Sequence, residues 1–191
     1  MPAMLRNRTR PALLLLAVVL AAGCGGSDGD GGGDRAEGVA FAVYADDAIG
    51  DRADDGWLRC GAPRAACPPN FLQPTGSYTY EPPGEPALGP RHTAGARTEA
   101  AGGAWSVSIE LTGAGAKAFG DLTKRLAQEG KEEARPRSFA VVVGTEIVAY
   151  TTVHYLEFPE GIQTTSLELF ATGEDDAKAI VERINAAVAA R

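Results

Sequence analysis

Apolar positions are most regularly spaced in the last part of the chain. Trp105, Val107, Ile109 and Leu111 alternate with Ser106, Ser108 and Glu110, the two-residue period of a strand with one face on a core. Thr112 then suits a helix N-cap, and Ala116, Phe119, Leu122, Thr123 and Leu126 recur at helical spacing until Gly130, which can end the helix. Ser138 to Val143 and Glu146 to Val153 read as two strands joined by a tight hairpin at Gly144-Thr145. A further strand spans Gln163 to Phe170. Thr172 follows as an N-cap, with Glu174, Asp175 and Asp176 in the first turn of a helix whose stripe is Ala177, Ile180, Val181, Ile184 and Val188. The order is β-α-β-β-β-α. It predicts an α+β fold with an antiparallel sheet of about four strands and two helices packed on one face.

Upstream the pattern weakens. Gly38 to Ala45 reads as a strand, but residues 46–103 hold most of the prolines and only short apolar pieces at Trp57-Leu58, Phe71-Leu72 and Tyr78 to Tyr80. Mostly irregular structure is expected there, containing a disulfide loop, with Glu81 to Gly103 mobile. At the start, Arg6, Arg8 and Arg10 precede an apolar run of about a dozen residues, the anatomy of a signal peptide. The run is shorter than the ~20 residues needed to span a bilayer. Residues 24–37 form a Gly/Asp tether with a coil reach of about 20 Å. The predicted organisation is a signal over 1–23, a tether over 24–37 and one domain over 38–191, irregular to 103 and well patterned from 104.

The three cysteines of the 191-residue chain are an odd number to place. Leu20-Ala21-Ala22-Gly23-Cys24 resembles the lipobox of bacterial lipoproteins, although the Leu stands one residue earlier than is common. That resemblance implies a lipidated Cys24 and an extracytoplasmic protein anchored to the outer face of the cell membrane, since two or more acyl chains hold a protein there stably. An ordinary secretory signal with an incidental Cys24 is the plainer alternative. Cys60 and Cys67 are then left as a pair in an oxidising compartment, where a disulfide closing so short a loop contributes about 2.5 kcal/mol in the entropic model. Metal binding competes, but His92 and His154 are remote in sequence, and neither a metal nor any cofactor is expected. The net charge is −7, and removal of residues 1–23 takes three arginines and no acid, leaving −10. Nucleic acid is therefore not an expected partner, and close apposition to anionic lipid is disfavoured.

The C-terminal half resembles the head of the first large periplasmic domain of SecD, a component of the bacterial protein-export machinery. The resemblance runs through Trp105 to Phe119, Leu122-Thr123, Phe139 to Gly144 and Ala171 to Ile180. It covers about half the chain well and residues 57–104 loosely. Gly144-Thr145 departs from the Asp-Gly hairpin usual in that family. The resemblance implies the head's fold and contact with translocating polypeptides or the Sec translocon. It does not extend to proton-coupled export, which in that family rests on transmembrane helices.

Chemistry-bearing residues point nowhere more strongly. His92 and His154 lack a companion nucleophile motif, and each reads as a satisfied or exposed histidine, so no catalytic residue is expected. Asp46-Asp47 and Asp54-Asp55 read as solvated loop charge, and Glu174 to Asp176 as compensation of a helix dipole. Gly113-Ala-Gly115 opens a helix after a strand but lacks the lysine and serine of a phosphate loop. Two function classes remain: a lipid-anchored, non-enzymatic module contacting exported polypeptides or the translocon, and a lipoprotein that binds a small ligand or an envelope component on the same fold. An exposed apolar patch or open sheet edge favours the first, and a closed pocket with convergent polar groups the second.

Overall fold

Eight strands and two helices follow one another in a computed structural model that describes residues 41–50, 53–60, 78–81 and 84–191. The signal segment, Cys24, the tether, Cys67 and Phe71-Leu72 lie outside the described residues. The predicted β-α-β-β-β-α order is present as β5 (Ala104–Leu111), α1 (Gly113–Glu132), β6 (Arg137–Val143), β7 (Glu146–Val153), β8 (Ser166–Ala171) and α2 (Glu174–Ala189). Before it come β1 (Ala42–Ala45), β2 (Leu58–Cys60), β3 (Tyr78–Tyr80) and β4 (Thr93–Ala101).

The strands do not form the single four-stranded antiparallel sheet expected. They divide into a five-stranded sheet ordered β1-β6-β7-β2-β3 and a three-stranded sheet ordered β4-β5-β8. The division follows from β4. With β4 on one side and β8 on the other, both edges of β5 are occupied, so β6 and β7 must pair elsewhere. The larger sheet is mixed, because β2 runs parallel to β7 while its other pairs are antiparallel.

Thr93–Ala101 also corrects the expectation of a mobile, irregular stretch before Gly103, since it pairs with β5 along its length. Its composition, rich in Ala with one Gly, hides it from a hydrophobicity pattern. Its cause is the turn. Gly102 and Gly103 both adopt positive φ, 60° and 84°, which a two-residue hairpin turn with the right twist requires.

A single apolar cluster joins one face of the five-stranded sheet (Val43, Phe139, Val141, Val148), the inner face of the small sheet (Val107, Ile109, Leu167, Leu169) and both helices. Phe119 of α1 meets Phe139 edge to face, with ring centroids 5.4 Å apart. On α2, Ala177, Ile180 and Ile184 fill the same core. A second cluster lies on the other face of the large sheet around Tyr44, Leu58, Tyr80, Val142 and Ile147, so β6 is buried along its whole length.

The helix ends differ slightly from the reading of the sequence. Thr112 caps α1 as predicted, its hydroxyl accepting the Gly115 N–H at 3.1 Å, but the helix runs past Gly130 to Glu132. On α2 the cap position is Gly173, and Thr172 instead donates its N–H and hydroxyl to the Asp176 carboxylate.

Candidate interaction surface

The small sheet buries one face on the core, and its other face is polar, with Ser108 buried at the centre and Glu110, Glu168 and Phe170 exposed around it. Cross-strand register places Arg97, Ser108 and Glu168 in one outer row and Glu99, Ser106 and Phe170 in the next, with Glu110 beside Ser166. Small serines on the central strand form a low floor between the longer side chains of the two flanking strands. Arg97 crosses this floor to pair with Glu110 and with Glu99 at 2.8 Å. Its one positive charge is thereby engaged twice, and Glu168 forms no ion pair among the described residues. Phe170 stands 80% exposed on this polar face. A scattered surface apolar residue is ordinary, but a nearly bare phenyl ring on an open sheet is the kind of group that partners cover.

Two more large apolar side chains are exposed in the loop between β7 and β8, Leu156 at 83% and Phe158 at 39%. The loop itself is fixed. Gly161, at φ +79°, lies so close to α1 that a Cβ would meet the Lys124 nitrogen at 2.6 Å. The buried Thr123 hydroxyl donates to the Phe119 carbonyl at 2.9 Å and accepts the Ile162 N–H at 2.8 Å. Lys124 and Glu160 pair across the same contact, each holding the other in its charged form. The Leu122-Thr123 pair thus has two jobs: Leu122 fills the core, and Thr123 ties down the loop.

One depression among the described residues is open and is lined by Ala116, Lys117, Gln163, Thr164 and Thr165. It has no buried charged group and no histidine.

The other singled-out residues do not converge on it. Cys60 ends β2 and is buried, and its expected pairing with Cys67 lies outside the described residues. His92 sits in a short 3-10 turn over Pro90–His92, where its Nδ1 accepts the Gly89 N–H at 3.1 Å. Burial, with Arg91 adding to it, pushes its pKa down. His154 is exposed, and its carbonyl starts the β7–β8 loop by accepting from Glu157 and Phe158. Gly115 is required for packing: a Cβ there would lie 1.9 Å from the His92 carbonyl oxygen, so Gly113-Ala-Gly115 seats α1 against that turn. Asp54 and Asp55 form an exposed turn. Among the described residues, no three His, Cys, Asp or Glu side chains come together as a metal set.

Asp46 is not the solvated charge expected of it. It receives a forked contact from the buried Arg137, at 2.7–3.1 Å, and the Ser138 N–H at 3.2 Å. Glu133 takes the remaining side of the guanidinium at 2.9 Å. The hydrogen bonds that Arg137 donates to Asp46 outweigh burial and hold it firmly protonated. Asp47, by contrast, is exposed and reaches Arg125 only at 3.5 Å.

No family model matches the sequence, and no curated protein matches it. Two solved chains of SecDF are similar to it. One, described as a membrane component that enhances protein export, has a TM-score of 0.45 and 18% identity over 56% of this chain and 44% of that chain. The other, SecDF in its super-membrane-facing form, has the same score, identity and share of this chain, and 13% of its own length is covered. The match spans less than half of either solved chain.

Proposed function

We propose that this protein is a non-enzymatic, lipid-anchored extracytoplasmic module that contacts exported polypeptides or the translocon with the open face of its small sheet. The observation that carries the reading is Phe170, bare on a polar sheet face. The resemblance of residues 105–180 to the SecD head supports the same class of partner, and Cys24 supplies the anchor. The depression beside α1 is open and, among the described residues, has no buried charge in its lining, which favours the sheet face over it as the contact surface.

The account predicts that a fluorescently labelled, permanently unfolded secretory polypeptide binds the full-length chain in detergent. Phe170→Ser should weaken that binding by about tenfold, since a phenyl ring buried at an interface contributes roughly 1.5–3 kcal/mol. Fluorescence anisotropy reads the difference. Equal affinity of the two proteins, or no binding by the parent, contradicts the proposal.

A further inference from the structure

The small sheet has two outer edges, and its ladder parity shows which backbone groups each one leaves open. The Gly102-Gly103 turn makes Ala101 and Ala104 a hydrogen-bonded pair. By alternation, Arg97 and Glu99 bond to Ser108 and Ser106, and Trp105, Val107 and Ile109 turn their polar groups toward β8. Ser166, Glu168 and Phe170 then face away from the sheet.

Two side chains confirm this parity. On the β4 edge, the Asn185 amide accepts the Ala96 N–H at 2.8 Å and donates to the Ala96 carbonyl at 3.0 Å, as a neighbouring strand would. On the β8 edge, the Thr164 hydroxyl accepts the Ser166 N–H at 3.2 Å and donates to its carbonyl at 2.8 Å. Each clamp closes one end of an edge, and proteins blunt exposed edges in such ways. Beyond Thr164, the outward backbone of Glu168 and Phe170 has no such clamp among the described residues.

We infer that the Glu168–Phe170 edge of β8 receives an extended polypeptide as an added strand, with an apolar residue facing Phe170 and a basic residue two positions away facing Glu168. This inference rests on the function proposed above and names its binding site. The recognition chemistry follows from the edge. Main-chain groups pair with the outward N–H and C=O groups of Glu168 and Phe170, and side chains alternate, so residues two apart share the outer face. On that face Phe170 offers apolar surface and Glu168 an acid with no ion partner among the described residues. A second copy of this chain is a poor occupant. Two-fold pairing about Leu169 would set each Glu168 against the partner's Phe170, leaving both acids without a base.

The test is binding of a labelled peptide Ser-Thr-Phe-Thr-Lys-Thr-Ser to the full-length chain in detergent, measured by anisotropy. Two other peptides accompany it, one with Glu in place of Lys and one N-methylated on its Phe and Lys amides. The parent peptide should bind, the methylated one at least about tenfold more weakly, because the backbone hydrogen bonds to the edge are removed. The Glu peptide should bind several-fold more weakly than the parent, and Glu168→Lys should reverse that preference. Equal binding of the methylated peptide, or an unchanged preference in Glu168→Lys, overturns the inference. If none of these peptides binds but the unfolded secretory polypeptide does, the edge site falls while the proposed function stands. If neither binds, both fall.

Discussion

Arg137 shows how one residue can organise an end of the molecule. It opens β6, a strand buried along its whole length, and is itself 7% exposed, so its charge has to be met by protein groups rather than water. Asp46, from the start of the domain, and Glu133, the C-cap of α1, meet it. The sequence carried a signal for this in a charged residue at the head of Ser-Phe-Ala-Val-Val-Val. The partner was not legible, because Asp46 lies 91 positions away in a run that reads as loop. The cluster also gives a pH response. The hydrogen bond from Arg135, joined by the charge of Arg137, holds the Glu133 carboxyl below its ordinary range against the opposing effect of burial. A carboxyl with a lowered folded pKa favours the folded state at pH above its unfolded pKa, and that contribution is lost as pH falls through the folded value. The melting temperatures of the parent and Glu133→Gln should therefore differ near neutral pH and converge between about pH 5 and about pH 3. A gap that stays constant across that range contradicts this role.

At the scale of elements, a close joint forms where the β7–β8 loop seats on α1. Thr123→Val keeps the shape of the side chain but leaves the Ile162 N–H without its acceptor. It should cost about 1–2 kcal/mol and speed amide exchange in the loop, both measurable by denaturation and hydrogen exchange. Unchanged loop exchange would mean that the Gly161 contact alone holds it. The elements from β5 onward were legible because each has a clear period: two for β5, near 3.6 for both helices, and β-rich runs around a glycine turn for β6 and β7. β4 was not, because Thr-Ala-Gly-Ala-Arg-Thr-Glu-Ala-Ala has no apolar alternation. The one sign of it was the Gly-Gly turn before an alternating strand. Missing β4 also hid the division into two sheets, since strand partners are set by tertiary pairing and not by local period. The candidate surface was legible only in part. Ser106, Ser108 and Glu110 announce a polar face, but that Phe170 lies on it depends on the pairing of β8 with β5, which sets Phe170 beside Ser106.

At the scale of the whole molecule, an acidic domain follows a segment that reads as signal and tether. Cys24→Ser should move the protein from the membrane to the soluble fraction on cell fractionation, and continued membrane association would contradict a lipid anchor at that residue. Among the described residues, no helix is long and apolar enough to cross a membrane. The central claim is that the open sheet face, and not the depression beside α1, meets exported polypeptides or the translocon. Photo-crosslinking in cells from Ser106 on the sheet and from Lys117 at the depression compares the two directly. The account predicts capture of secreted polypeptides or translocon subunits from Ser106 and little from Lys117. Capture from Lys117 alone, or of neither class of partner from Ser106, would contradict it.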